Sequence, residues 1–297
     1  FKLKRVENLR IIGNSDQRRV VLDNLKIKYH SEKFVFGSQG GKLEIEVSGS
    51  IIHYEDDGPK ELPPVLLWNG ASCTLRMWDF IVEDLKTEYR FIRFDIRGTG
   101  SSIYQNTVPS LFSLEQYNKD ANCVLEQLQI DKVIVWSMAW GSRAAIAYCS
   151  RNQDRVNNAV LHDASITKAD PTAQKEGAKA AVEKQISKGL KKFEKPANYN
   201  LNNQPELVST ALAAAGSFDL PSAIKKLSMP VLLVTGDHDP NLASTREIHK
   251  TLTNSSLKVL ENVGHGSVLQ RPDLCINSFR EFQIAQTQSE KSVDKPH

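Results

Sequence analysis

The sequence predicts an α/β fold: a mostly parallel, doubly wound sheet carrying a short helical lid insertion. Three observations predict it. Short, continuous apolar runs recur between helix-patterned stretches, as strands covered on both faces require. One of these runs, Val133 to Trp136, turns abruptly into a helix across a corner crowded with small residues. Residues able to do catalytic chemistry stand just after the apolar runs, where an open α/β sheet places its ligands.

In chain order, residues 1–40 hold no assignable motif and read as an N-terminal extension, an arm packed on the main body. Gly40-Gly41 introduces the alternating strand Lys42 to Val47. Ser48-Gly49-Ser50 turns it into Ile51 to Glu55, a hairpin signal. Residues 41–164 then form the first part of the core. Val65 to Trp68 is a buried strand ending in Asn69-Gly70-Ala71-Ser72, and Trp78 to Leu85 has helical spacing. Phe91 to Phe94 is the next strand, ending in Asp95-Ile-Arg97-Gly98-Thr-Gly100. Leu114 to Leu128 is an amphipathic helix leading to the Val133 strand, and Asn158 to Asp163 is a further strand.

Residues 165–227 differ in character. Ala178, Val182, Ile186 and Leu190 recur every four residues, predicting a helix over 175–193. Pro196 breaks it, and Leu207 to Ala215 predicts a second helix ended by Gly216. An insertion of this size between two strands reads as a lid. Residues 228–288 complete the core with strands Met229 to Gly236 and Ser256 to Leu260 and a closing helix from Asp273 to about Thr287. A polar tail over 289–297 is expected to fray.

Composition excludes several classes. Hydrophobic residues make 40% and charged residues 25% of the 297, the balance of a soluble globular protein. No run of about 18 apolar residues offers a membrane span. Net charge is +3, with lysine and arginine in excess over 1–35 and 165–226, but no basic face interleaved with aromatics suggests nucleic-acid binding. Cys73, Cys123, Cys149 and Cys275 have neither CxxC nor zinc-like spacing and read as small core residues. The chain opens on Phe1 rather than Met, which leaves a processed leader open. The compartment reading leans to the cytoplasm.

The corner after Val133 to Trp136 is a strand–turn–helix of the nucleophile-elbow kind, small-x-nucleophile-x-small. With Ser137 as nucleophile, the small positions would be Val135 and Ala139, and Val135 is β-branched. With residue 139 as nucleophile, they are Ser137 and Gly141. The second frame fits the strand and helix lengths, yet residue 139 is Ala. The chain reads as a serine hydrolase with its nucleophile removed, either by replacement of a serine or as a native non-catalytic relative.

The remaining chemistry is present in the order nucleophile, acid, histidine. His265, between Gly264 and Gly266, is the expected base. Asp239 in Gly-Asp-His-Asp is the expected acid, with Asp237 capping the turn and Asp163 as a rival. Backbone N–H groups of Ala71 and Trp140 are the expected oxyanion donors. Asn69, Ser72, Met138 and Tyr199 are expected to line the substrate pocket. Asp95 to Gly100 reads as a structural turn with paired charges.

From about residue 42 to residue 285 the chain resembles the α/β-hydrolase superfamily. The matching motifs are Trp68-Asn-Gly-Ala71, Asp95-Ile-Arg-Gly-Thr-Gly-Ser101, Ser137-Met-Ala-Trp-Gly141, Gly236-Asp-His-Asp239 and Gly264-His265. The block from Trp68 to Ser101 is most similar to the enol-lactonase and carboxylesterase branch. Ala139-Trp-Gly-Ser142 resembles the Ser-Trp-Gly-Ser elbow of proline iminopeptidases, whose lids are longer. Trp after the nucleophile also occurs in epoxide hydrolases and haloalkane dehalogenases, where Ala139 would stand in for Asp. Those enzymes usually carry His-Gly-x-Pro and two lid tyrosines, whereas this chain has Ser72 at that proline and only Tyr199 in its lid. The resemblance implies hydrolysis of a small ester or lactone without a cofactor. A ligand-binding pseudoenzyme and a cofactor-free lyase or oxygenase using the His-Asp pair are the alternatives.

Overall fold

The computed structural model describes residues 34–37, 43–106 and 108–293. The N-terminal extension otherwise lies outside the described residues, as does the end of the tail. Ten strands form one sheet among the described residues. They are β1 (Phe34–Gly37), β2 (Leu43–Val47), β3 (Ser50–Asp57), β4 (Pro64–Trp68), β5 (Arg90–Phe94), β6 (Ile103–Tyr104), β7 (Val133–Met138), β8 (Val156–His162), β9 (Val231–Gly236) and β10 (Ser255–Leu260). Their order is β1-β2-β3-β5-β4-β7-β8-β9-β10, with β6 paired to β3.

Six of these strands, from β5 through β4 to β10, run parallel. The β2–β3 hairpin pairs antiparallel, as its turn signal predicts. Ser48 and Gly49 both have positive φ, 47° and 71°, the backbone that a two-residue hairpin loop favours. Every residue of β5, β7 and β9 is buried, which is why these runs carry no polar alternation.

Helices cover both faces. On the way through the chain these are α1 (Asp79–Leu85), α2 (Leu114–Gln127), α3 (Trp140–Arg151), α4 (Pro171–Ser187), α5 (Val208–Ala213), α6 (Leu220–Ile224), α7 (Leu242–Thr251), α8 (Ser267–Gln270) and α9 (Pro272–Val293). One core layer contains Tyr117, Val135, Ala144, Tyr148 and Leu233; the opposite one contains Trp78, Trp136, Val234 and Phe279. In the second layer the Trp136 and Phe279 rings stack at 4.1 Å, tying α9 to the central strand.

Two helices depart from their periodicity. The helix expected over 175–193 runs from Pro171 to Ser187. Asp170 caps its start by accepting a 3.0 Å bond from the Ala173 N–H, and Pro171 occupies the first turn. It stops because Gly189 adopts φ 80°: Leu190 N–H then reaches Gln185 O, and Gly189 N–H reaches Ile186 O, a Schellman ending. Leu190 therefore leaves the apolar stripe. The closing helix, by contrast, continues to Val293, beyond the expected end at Thr287.

Candidate active site

The chain passes from β4 to its neighbour β5, and later returns to β7 on the other side of β4. Strand order reverses at β4, so a crevice opens at the carboxyl ends of β4 and β7. Gly70 and Ala71 follow β4; Ala139 follows β7.

Ala139 has φ 54° and ψ −113°, a sparsely populated conformation for a residue with a side chain. Holding it costs on the order of 1–3 kcal/mol, and the surroundings dictate it. Its N–H donates to His162 O at 2.8 Å. A Cβ at Gly141 would come within 2.4 Å of Asn69 O and 2.5 Å of Trp68 O, so α3 and the exit of β4 nearly touch. Beneath the corner, Ser142 Oγ donates to His162 O at 2.7 Å and lies 3.0 Å from Ser137 Oγ. Ser137 is fully buried in the sheet, which removes it as an attacking group.

His265 follows β10, and its Nδ1 lies 3.2 Å from both carboxylate oxygens of Asp239, which follows β9. The Asp239 side chain is shut off from solvent. It also accepts from Asn241 N–H at 2.9 Å and from Thr235 Oγ1 at 3.3 Å, which fix its plane. Burial pulls the His265 pKa down, but the Asp239 bond and the negative charges of Asp163 and Asp239 outweigh it. The net direction is upward from 6.5.

Asp163 is the third member of this cluster; donor atoms of Asp163, Asp239 and His265 lie within 4.8 Å of one another. Its Oδ2 accepts from the N–H groups of Gly266 at 3.0 Å and Ser267 at 2.8 Å. Asp163 therefore holds the backbone after His265, while Asp239 holds the ring. Complete burial and the charge of Asp239 raise the Asp163 pKa.

A cavity of about 700 Å³ contains Ala71, Met138, Ala139, Trp140, Tyr199 and His265 in its lining. As the first residue of α3, Trp140 has a backbone N–H with no intrahelical acceptor. Two expected pocket residues are elsewhere. Asn69 turns inward, donating to Phe94 O at 2.9 Å and accepting from Trp78 Nε1 at 3.0 Å, so it braces the β4 exit. Ser72 is exposed, with φ 58°, and its carbonyl accepts from Asn202 Nδ2 at 3.3 Å. The Cys73 thiol also lines the cavity, but burial pushes it up to about 12, out of the range of a nucleophile at neutral pH.

The remaining motifs are structural. Asp237 Oδ1 accepts from Val263 N–H at 3.1 Å, closing the turn after β9. Asp95 accepts from Leu75 N–H at 2.7 Å and Ser101 N–H at 2.9 Å. Its neighbour Arg97 makes a buried two-point contact with Asp120, at 2.8 and 2.6 Å, so the expected charge pair forms with α2 and not within the turn. Residues not picked out from sequence also face the cavity, among them Arg143, Lys168, Lys195 and Asn241.

A family model described as "alpha/beta hydrolase fold" matches residues 63–185. A solved enol-lactonase from Burkholderia xenovorans LB400 shares 22% identity and a TM-score of 0.66, covering 80% of this chain and 98% of that one. This chain has the α/β-hydrolase fold. Among curated proteins similar to it, a 3-oxoadipate enol-lactonase of Acinetobacter baylyi is 22% identical over 79% of this chain and 93% of its own. A Bacillus subtilis protein named as a 2-succinyl-6-hydroxy-2,4-cyclohexadiene-1-carboxylate synthase is 22% identical over 82% and 98%. In this α/β-hydrolase fold, the strained corner after β7, the histidine after β10 and the carboxylate after β9 all lie at one end of the sheet.

Proposed function

We propose that this fold hydrolyses a small or medium carboxylic ester or lactone through an acyl-enzyme when residue 139 carries a hydroxyl, and that the chain with Ala139 is its inactive form. The single observation that carries this reading is the strained Ala139 corner, which opens into the cavity that His265 also lines. A backbone held at φ 54° against close contacts presents its side chain to the cavity, yet a methyl group makes no use of the position.

With a serine there, His265 takes the hydroxyl proton as the oxygen attacks the carbonyl carbon. Asp239, bonded at Nδ1, keeps the proton-accepting nitrogen facing the cavity and stabilises the imidazolium. The N–H groups of Ala71 and Trp140 receive the oxyanion, helped at residue 140 by the N-terminal dipole of α3. His265 then returns the proton to the leaving alcohol. Water, activated by the same imidazole, releases the acid. The enol-lactonase relative supports the ester or lactone class.

The test is Ala139→Ser, assayed on p-nitrophenyl acyl esters and on lactones. Hydrolysis is expected to rise roughly a thousandfold or more over the Ala139 form. No gain in a folded variant refutes the proposal.

Ala139 itself favours a second reading, in which the chain binds an ester or lactone without turning it over. Calorimetry then gives saturable binding to the Ala139 form, and Ala139→Ser adds no hydrolysis. Ala139→Asp, assayed on epoxides and haloalkanes, tests the carboxylate-nucleophile alternative.

A further inference from the structure

Three cations face the cavity: Arg143 on α3, one helical turn beyond Ala139, with Lys168 and Lys195 from the inserted segment. Arg143 is half-buried, and burial lowers its pKa. Its Nη2 donates to the Thr167 carbonyl. Among the described residues, no carboxylate lies in ion-pair range of Arg143, Lys168 or Lys195. Lys195 instead lies 3.1 Å from Tyr199 Oη and 4.9 Å from the centre of that ring.

Among the described residues, the buried arginines are matched by carboxylates: Arg90 by Asp56, Arg93 by Glu55 and Asp57, and Arg97 by Asp120. The half-buried Arg155, which has none, donates to three oxygens, Asp131 O, Asn122 Oδ1 and Ile130 O, where Arg143 has one. Arg143 is the contrast. A guanidinium drawn partly out of water without a carboxylate is costly unless an anion arrives to meet it. The acid lining this cavity, Asp163, is turned to the backbone beside His265, where its Oδ2 accepts from Gly266 and Ser267 N–H. A second hollow of about 570 Å³ shares Lys195, His265 and Gly266 and adds Lys175, Lys179 and Lys192 against Glu183, so positive charge extends outward from the histidine. The same lining carries apolar side chains, Met138, Leu212 and Ala213, beside the polar Ser165 and Gln174.

We propose that the cavity selects an anionic substrate: an acyl compound whose short apolar chain ends in an ionised carboxylate, held by Arg143 and assisted by Lys168 and Lys195. This rests on the ester or lactone reading above for its reacting group, but not for its anion. The carboxylate takes the charge-assisted, two-point contact that Arg143 presents, while the lysines draw it in from solvent.

The experiment has two arms. In the first, the Ala139 protein is titrated calorimetrically with the monomethyl ester of glutaric or adipic acid and with the neutral dimethyl ester. Tighter binding of the anionic ester is expected, roughly tenfold to a hundredfold. The preference should collapse in Arg143→Gln, recover in part in Arg143→Lys, and weaken with added salt. Lys168→Gln, at an exposed position, gives a smaller loss and guards against misfolding of the arginine variants. In the second arm, Ala139→Ser is assayed on p-nitrophenyl hydrogen glutarate and p-nitrophenyl pentanoate. The ratio of their kcat/KM values should favour the anionic ester and fall at least tenfold in Arg143→Gln. Arginine-dependent anion binding without hydrolysis in the second arm sinks the hydrolase reading and leaves this inference standing. Hydrolysis with no preference for the anionic ester, or a preference untouched in both folded Arg143→Gln and folded Lys168→Gln, overturns the inference alone.

Discussion

The floor and the roof of the cavity are built on opposite principles. The floor is made where β4, β7 and β9 end, with backbones so close that Gly141 has no space for a methyl group against Trp68 O and Asn69 O. Over the roof, α4 buries only Ala181 and Gln185, while Ile186, Leu190 and Leu201 face solvent. The segment after α4 is bonded to the body, Thr74 N–H to Tyr199 O at 2.6 Å, Asn203 N–H to Gly100 O at 2.9 Å and Tyr117 Oη to Ala211 O at 2.9 Å. In contrast, α4 itself meets the floor through close backbone approaches and one side-chain bond. Gly177 sits where a Cβ would come within 2.1 Å of His238 O, Gly264 abuts Ala178, and Gln185 Nε2 donates to Asn262 O at 2.7 Å. The difference teaches a division of labour. Residues that move protons are over-determined by the sheet, whereas two of the three cations that draw the ligand, Lys168 and Lys195, stand exposed on the inserted segment, where substitution leaves the core intact. The third, Arg143, belongs to the floor's own helix α3.

The sharpest way to break this comparison is at the histidine. On the Ala139→Ser background, His265→Ala should lower kcat on a p-nitrophenyl ester by roughly a thousandfold or more, with the melting temperature little changed. Equal loss of fold and rate would mean that the floor does not separate chemistry from packing.

Gly141→Ala probes the floor's packing alone. Two backbone carbonyls stand in the way of the new methyl group, so urea denaturation should register a loss of about 3 kcal/mol. Gly189→Ala is the matching change in the roof. There φ is 80° with open space around the Cα, so the cost is conformational and should be about 1 kcal/mol. Were the two losses equal, the floor would be no more constrained than the roof.

The two carboxylates are told apart by pH dependence, where the smallest expected effect is the shift at Asp163. In Ala139→Ser, hydrolysis needs neutral His265, so the rate should rise with pH through a midpoint above 6.5, because the ring's pKa is raised. Protonated His265 is correspondingly favoured in the folded state, a contribution present below 6.5 and lost as pH rises through the folded value. Asp163→Asn removes one of the charges that hold the proton on, so the limb of the pH–rate profile should move to lower pH. Asp239→Asn should both move the limb and reduce the plateau, since it also loses the bond that orients the ring. A plateau lost more in Asp163→Asn would exchange their roles.

Much of the floor was legible in the sequence, for a local reason. Buried parallel strands such as Val65 to Trp68 need apolar residues at every position, and the corner after β7 needs small residues on either side of Ala139. Both requirements are written within a few residues. The juxtaposition of Asp239 with His265 could be anticipated because both follow strands of one parallel sheet. The direction a side chain takes from a loop was less legible. Asn69 looked like a pocket residue by position, but Trp78 Nε1 and Phe94 O, distant in sequence, turn it inward. Periodicity extended α4 past its true end because Leu190 continues the four-residue spacing, while the local signal that stops the helix is Gly189. Arg143 gave no signal, since an arginine on a helix is ordinary until the fold shows a cavity before it and no carboxylate beside it.

The most direct measurement is intact-mass and peptide-mapping analysis of Ala139→Ser quenched during turnover of a slowly hydrolysed p-nitrophenyl ester. The account predicts a transient acyl adduct on the peptide spanning residue 139, absent from the Ala139 protein and no longer formed at a measurable rate once His265, the base for acylation, is replaced by alanine. Hydrolysis proceeding with no adduct there, or with the adduct on another residue, would contradict it.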